Sequence, residues 1–427
     1  ESDGAPSMRS LLRMQHRILS GTQRLFRAAV AAGLRSPIWV VTRGAQRVTE
    51  SDLVSPDQSC LWGFGRAAAL ELPHVWGGLA DLSNVTPASE ATGNVTPASE
   101  ATGNVTPASE WSQLINVITT RRDSAIGEDQ VALRDQVVYV PRLVRRAEQP
   151  SGEPIQLRSP ATYLVTGGLG SIGLEMAGYL AAHGARQLVL TSRRAPSDAV
   201  QQRIDALSEQ HGCEVRVVAA DVADAHDVAR LLAGIAAELP PLAGIVHAAG
   251  EIGTTALNNL DDAEVDRVFA GKVWGAWYLS EAAADLNLDF FLSTSSIASV
   301  WGGFGQTAYG AANAFLDGLA WRLREQGIPG ISVNFGPWSG GMADAESRAR
   351  LDRRGIQTLS PADALAGMAD VVAASSAQGP AQGVVARVDW ARFLPLYQQA
   401  GRRGFLAELD REVPTPPMAA VASATAS

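Results

Sequence analysis

Three residue types in this chain can act together on one carbonyl oxygen. Ser296 stands thirteen residues before Tyr309, and Asn313 follows four later, within the stretch STSSIASVWGGFGQTAYGAAN. A strand ending at the serine and a helix opening just before the tyrosine would bring both hydroxyls to one point. A phenol is a weak acid, with a reference pKa of about 10, and needs a nearby cation to act near neutral pH. Of the 35 Lys and Arg residues only Lys272 is lysine. An ammonium is a compact charge whose pKa moves readily on burial, which a planar guanidinium does not offer. The set therefore reads as a proton donor, a second hydrogen-bond partner and a cation.

Such a set needs strands that end side by side. Residues 162–165 are an apolar strand, and TGGLGSIG turns from it into a helix at 172–183. Further strands are expected at 187–190, 214–219, 243–247, 290–292, 330–334 and 383–388, with helical segments between them. That alternation predicts a doubly wound parallel sheet whose ligand crevice lies at the carboxyl ends of its strands. Gly168, Gly170 and Gly173 form a G-x-G-x-x-G after the first of these strands. Glycine there admits a pyrophosphate close to the backbone, and the helix N-terminus supplies donors to it. Thr166, Leu169, Ser171 and Ile172 complete the expected phosphate loop. About twenty residues on, where an acid would hold a ribose hydroxyl, stand Ser192, Arg193 and Arg194. Arginine pairs with a 2′-phosphate, so the expected cofactor is NADPH/NADP+. Asp221, followed by Val222, is placed for the adenine, and His247, Ala248, Ala249 and Gly250 end another strand where the ribose approaches.

The first half repeats the alternation without the chemistry. Residues 1–35 read as an amphipathic helix or helix pair, 38–42 as a strand, 60–72 as a helix, and 79–82 and 136–140 as strands. The turn TRGAQRVTE carries no glycine-rich loop, so this half is expected to be scaffold. Between its strands, NVTPASEATG occurs twice and then in part, over 84–110, and its Pro, Ser and Thr content predicts a disordered insertion. Asn84, Asn94 and Asn104 match N-x-T, which matters only in a secreted chain. The expected organisation is 1–146 structural subdomain, 147–160 linker, 161–411 catalytic subdomain and 412–427 tail. The fold class is α/β, with two Rossmann-like subdomains, the first truncated.

A net charge of −9 argues against nucleic acid or an anionic membrane as partner. Two cysteines provide no disulfide framework, the six histidines show no metal spacing, and no metal is expected. With neither a signal-peptide pattern nor a transmembrane run, the expected setting is cytoplasmic.

The motifs together resemble the short-chain dehydrogenase/reductase superfamily. Most of that family carries lysine four residues after the tyrosine; here Asn313 holds that place and Lys272 lies thirty-seven residues before Tyr309. This exchange resembles the ketoreductase domain of modular polyketide synthases, as do TSRRA, DVAD, HAAG, YGAANAFLDGLA and NFGPWSGGMA. WVVTRGA, LWGFGRAAALELP and WGGLADL resemble that family's cofactor-free structural subdomain. Ser171, where such domains usually carry Gly, is the one departure in the loop.

The resemblance implies reduction of a β-ketoacyl thioester presented on the phosphopantetheine of an acyl carrier protein. Neighbouring synthase domains are the other expected partners, and the excised piece is expected to be monomeric. Tyr309 would be the general acid and Ser296 would bond the same oxygen. Lys272 would lower the Tyr309 pKa and hold the ribose, while Asn313 would order a relay water and help hold Lys272. Gly336 and Pro337 would wall the nicotinamide, and the polar stretch 340–357 would be a lid. Trp301, Gln306, Trp338 and Met342 fall on the substrate side. Absence of an LDD motif at Ile252, Gly253 and Thr254, with Trp301 eight before Tyr309 and Gln306 three before it, implies an A-type, non-epimerising domain giving an L-β-hydroxyacyl product. The rival readings are a redox-silent, NADPH-binding epimerase or scaffold domain and a free-standing alcohol dehydrogenase. A pure binding module is the weakest alternative, because it leaves the phosphate loop and arginine pair unexplained.

Overall fold

The computed structural model describes residues 7–84, 107–120, 128–146, 155–340, 345–375, 379–401 and 403–414. Seven strands form the larger sheet, in the spatial order Gln382–Val385, Gly330–Phe335, Phe290–Ser296, Leu242–His247, Thr162–Thr166, Gln187–Ser192 and Glu214–Ala219. All neighbours in it are parallel. Thr162–Thr166, Leu242–His247 and Gly330–Phe335 are buried at every position, as parallel strands covered by helices on both faces must be. From Thr162–Thr166 the chain builds outward through two strands, then returns to build on the other side. The order therefore reverses between Thr162–Thr166 and Leu242–His247, and the crevice opens there.

The last expected strand, 383–388, is split. Gln382–Val385 joins the large sheet, whereas Arg387–Val388 turns away to pair antiparallel with Ile356–Gln357.

The smaller sheet runs Ile38–Arg43, Trp76–Leu82, Gln130–Arg134 and Val137–Tyr139, with the last pair antiparallel. Sequence reading placed one strand at 136–140 and missed Gln130–Arg134. Asp135 and Gln136, at φ 46° and 65°, are instead the two-residue turn of a hairpin. The missed strand is disguised by its ends, because Gln130 and Arg134 are polar yet buried. Each has an inward partner: Gln130 accepts from Arg66 Nε at 3.0 Å, and Arg134 bonds Asp81 at 2.7 Å and Asp52 at 2.8 Å.

Of the expected insertion at 84–110, residues 85–106 lie outside the described residues. Pro107–Thr120 is a helix that starts inside the last repeat unit. Its Glu110 is buried, accepting from Ser83 N at 3.1 Å and Arg43 at 3.2 Å, so this end of the stretch is ordered structure rather than insertion. Of the expected linker 147–160, residues 147–154 lie outside the described part, and Ile155 is buried in the core. The expected tail begins within the last helix, Ala407–Glu412; residues 415–427 lie outside the described part. In the expected lid, residues 341–344, Met342 among them, are also outside it; Ala345–Arg353 is a helix with no buried residue.

Helices of the first half pack on the second. Pro56–Glu71 crosses Thr307–Glu325 where glycine meets glycine: a Cβ added at Gly310 would lie 2.9 Å from the Gly63 carbonyl oxygen. The N-terminal helical run, Met8–Ala31 with a π-turn over Met14–Leu19, docks beside Asp262–Phe269. There Gln15 accepts from Trp274 Nε1 at 2.7 Å and donates to Asp266 at 2.6 Å, and Ser20 donates to Asp262 at 2.7 Å.

Candidate active site

Ser296 ends the strand Phe290–Ser296 and caps the short helix Ile297–Val300, its Oγ accepting from Ala298 N at 3.2 Å. That bond leaves the hydroxyl hydrogen to donate elsewhere. Tyr309 is the third residue of Thr307–Glu325, in its first turn. Lys272 lies in a π-turn, Ala270–Trp274, between the helices Asp262–Phe269 and Gly275–Ala282. Such bulges re-aim a side chain that a regular helix would send elsewhere. Its Nζ donates to the Thr294 carbonyl at 3.0 Å and lies 5.4 Å from the centre of the Tyr309 ring. The fold thus brings together three residues from three elements. Gly250 makes room for this, since a Cβ there would press on Lys272 Cγ at 2.5 Å.

Burial sets the charges. It pulls the Lys272 ammonium down to about 8, against the opposing pull of the Asp317 carboxylate. It also pushes the Tyr309 phenol up, with Ser296 and Asn313 drawing it the other way. Sequence reasoning expected Lys272 to lower Tyr309. In this site desolvation of the phenolate outweighs every lowering influence, so the phenol stays protonated through the neutral range.

Asn313 is fully buried and donates to the Tyr309 carbonyl at 2.6 Å, while its Oδ1 has no partner among the described residues. The hydrogen bond that Lys272 makes directly goes to the Thr294 carbonyl.

Behind these residues lies a polar network that sequence reasoning missed. Asp317, buried two turns after Tyr309, accepts from Ser299 and Ser332 at 2.6 Å each and from Asn334 at 3.0 and 3.1 Å. Asn334 also donates to Ser295 at 2.9 Å, and Ser295 to the Asn313 carbonyl at 3.2 Å. Arg66, from the first half, donates to the Ser299 carbonyl at 2.6 Å. The legible sign was an acid on the same helix face as Tyr309 and Asn313, in an otherwise apolar run.

The phosphate loop fits a dinucleotide. Ser171–Ala182 has Gly170 at its N-cap, no side-chain cap and no acid in its first turn. Gly170 and Ser171 are exposed there, with Leu169 and Ile172 half-buried beside them. A Cβ on Gly168 would sit 2.8 Å from Leu190 Cβ, and one on Gly173 would run into the Gly167 carbonyl. Gly167, absent from the sequence-based set, makes the turn at φ 63° against Ala248; the doubled glycine of TGG was its signal. Ala248, Ala249 and Gly250 are half-exposed across the crevice. Ser192 ends its strand; Arg194 is exposed, and Arg193 bonds Glu251 at 2.8 Å across the cleft. Asp221 spends one oxygen on Ala223 N at 3.0 Å.

Several of the residues expected at the cofactor are buried. Thr166 and His247 are fully buried and bond each other at 2.9 Å, while His247 Nε2 meets the Lys272 carbonyl at 3.2 Å. Burial, then the Lys272 charge, pulls His247 down to about 3, so it stays neutral and braces the π-turn. Val222 is buried against Gly275, where a Cβ would come within 2.8 Å of it. Gly336 is buried, its N–H donating to Val385, with Pro337 half-exposed after it.

On the substrate side, Trp338 is buried and packs edge-on against Phe335. Trp301, 2% exposed, packs against Trp390 and Phe393 and takes the Tyr397 hydroxyl on its carbonyl at 2.6 Å. Both large rings are therefore held firmly in place by their packing. Gln306 is half-buried immediately before the Tyr309 helix.

A doubly wound sheet with a phosphate cradle at its switch point, and a serine, tyrosine and lysine meeting at the next strand ends, defines a short-chain dehydrogenase/reductase. Residues 161–340 match the KR domain family model, and residues 3–143 match the Rossmann fold domain of the polyketide synthase extender module SpnB. The polyketide synthase GfsB of Streptomyces halstedii is 39% identical over 376 residues, covering 85% of this chain and 6% of that protein. A solved structure of A-type ketoreductases from a modular polyketide synthase is 34% identical with a TM-score of 0.77, over 91% of this chain and 77% of that one. A C2-type ketoreductase is matched almost equally, at 33% identity and TM-score 0.77, over 91% and 78%. The chain belongs to the ketoreductase domains of modular polyketide synthases, oxidoreductases that act on a ketone. It spans a small part of the multidomain relatives it matches.

Proposed function

We propose that this chain reduces a β-ketoacyl thioester, carried on an acyl carrier protein, to an L-β-hydroxyacyl thioester with NADPH, leaving the α-centre unchanged. The observation that carries the reading is the buried Lys272 ammonium 5.4 Å from the Tyr309 ring, beside a cradle that fits a dinucleotide.

NADPH, when bound along the switch point, supplies hydride to the ketone carbon. Tyr309 gives its proton to the oxygen as negative charge develops there, as a general acid. Ser296 donates its free hydroxyl hydrogen to the same oxygen. Lys272 stands close enough to favour the phenolate left behind, and Asn313 anchors the first turn that bears Tyr309. Ser192, Arg193 and Arg194 receive the 2′-phosphate, with Arg193 exchanging Glu251 for it. The two halves divide the work: residues near 1–146 brace, and those near 161–411 bind and react.

Fold likeness extends to A-type and C2-type domains alike. The A-type reading therefore rests on residue identity: Trp301 and Gln306 before Tyr309, and Ile252, Gly253 and Thr254 in place of an acidic motif. The test is incubation of the chain with NADPH and an α-methyl β-ketopentanoyl N-acetylcysteamine thioester, followed by chiral chromatography. Loss of NADPH absorbance with the L-hydroxy, α-retained product is expected. NADPH bound without being consumed would replace this reading with the redox-silent one.

A further inference from the structure

Two loops flank Tyr309, and both are held from the other half of the chain. Residues 301–306 lead directly into the Tyr309 helix. Residues 251–260 follow Gly250, and their Gly253 lies against Tyr309, where a Cβ would come within 3.8 Å of the tyrosine Cβ. Glu71, the last residue of Pro56–Glu71, ties the two together. One of its carboxylate oxygens accepts from Gly305 N at 3.0 Å and the other from Leu257 N at 2.6 Å. The loops also touch: Gly305, at φ 75°, leaves no room for a Cβ, which would sit 2.9 Å from the Thr254 carbonyl oxygen. One turn back, Gly302, at φ 81°, lies flush on the backbone of Arg66 in the same helix.

The loop is thus fixed at Trp301 by the C-terminal rings, at Gly302 by Arg66 and at Gly305 by Glu71. Between these anchors it presents Phe304, which is 63% exposed. A large apolar ring held out to solvent by a loop pinned on both sides is suited to contact an apolar acyl chain.

Resting on the proposed reduction, we infer that Glu71 is a specificity-determining positioning residue. By clamping Gly305 to Leu257 it fixes the Phe304 loop, and so sets which face of the ketone the acyl chain leaves open to hydride. Choice of face depends on a wall that does not yield, because the two orientations of a small ketone differ little in contacts. A carboxylate with two backbone donors gives that rigidity at one residue.

The experiment compares wild type with Glu71→Ala and Glu71→Gln. The amide of the latter presents a donor to one of the two N–H groups. Glu71→Ala should erode the product diastereomer ratio from the thioester by about tenfold and raise its KM several-fold. NADPH affinity and turnover of trans-decalone, too small to need the wall, should stay within about twofold. Glu71→Gln should fall between. An unchanged ratio in Glu71→Ala overturns the proposal. Should that variant fail to fold, Gly305→Ala strains the same clamp from the loop side and should erode the ratio in the same way; an unchanged ratio there is equally fatal. Amide hydrogen exchange at Gly305 and Leu257 reads the clamp without catalysis, and should quicken in Glu71→Gln. If wild type binds NADPH but consumes none, the proposed reduction fails, and the exchange rates alone then decide on the clamp: unaltered rates sink it.

Discussion

Gly63 and Gly310 touch backbone to backbone, and Gly310 is the residue after Tyr309. The half of the chain without a phosphate loop is therefore packed against the reactive turn itself. Gln15, two residues beyond Lys272 through Trp274, Arg66 through Ser299, and Glu71 through Gly305 extend the same arrangement to each side of the site. A site braced by helices of the first half depends on both halves.

Because a side chain at Gly63 would run into the Gly310 carbonyl, Gly63→Ala should destabilise the chain by about 1–3 kcal/mol, the usual cost of overpacking. Urea unfolding followed by tryptophan fluorescence measures it. Deleting residues 1–145 should leave no soluble active enzyme, since the apolar back of the Tyr309 helix would face water. A soluble, active product would show the first half to be dispensable.

Removing the phenol hydroxyl in Tyr309→Phe should lower kcat by about 10²–10⁴-fold, the range for loss of a positioned general acid. Ser296→Ala should lower it by about 10²–10³-fold. NADPH binding, followed by fluorescence, should survive both changes. A Tyr309→Phe variant that still turned over near the wild-type rate would remove the tyrosine from the mechanism.

Lys272 has its pKa lowered by burial to about 8, so it is mostly charged at pH 7 and loses its charge as pH rises through 8. The reduction rate should decline over that window, while the raised Tyr309 remains protonated. Stability should move the other way: a base with a depressed pKa makes the folded state more stable as pH climbs from about 8 toward its unfolded value of 10.5. Lys272→Arg should abolish the limb near pH 8 along with most of the activity. A pH–rate profile with that variant unchanged from wild type would rule out the assigned role.

Asp317 raises Lys272 through its charge. Asp317→Asn should shift the alkaline limb of kcat/KM to lower pH, with the isosteric amide keeping the packing. A limb that stays in place would mean that the network around Asn334 and Ser299 serves architecture alone.

Arg194→Ala should weaken NADPH binding by about tenfold or more, the loss of one charge-assisted hydrogen bond, and leave NADH binding unchanged. Calorimetric titration with both cofactors measures the difference. Equal weakening of the two would place Arg194 away from the 2′-phosphate.

The chemistry was legible because it is written in residue type and short spacing. A glycine-rich turn after an apolar strand, a serine and tyrosine thirteen apart, and a solitary lysine all declare themselves along the chain. So did the large sheet, whose central strands are largely apolar runs between helices. The polar-ended strand Gln130–Arg134, the helix emerging from the last repeat unit at Pro107, and the buried Asp317 did not. Each holds polar groups inside the protein, and their partners come from elements remote in sequence. The same remoteness hid the packing of Trp301, whose ring meets Trp390 and Phe393 from the far end of the chain. What the amino-acid order determined by itself was the set of reactive side chains, the phosphate turn and the strands that carry them, since local period and spacing suffice for these. Only the tertiary structure decided that burial raises Tyr309, that a π-turn aims Lys272, and that Glu71 and Arg66 hold the loops beside them. Desolvation, helix crossing and long-range hydrogen bonds exist only once distant parts of the chain meet.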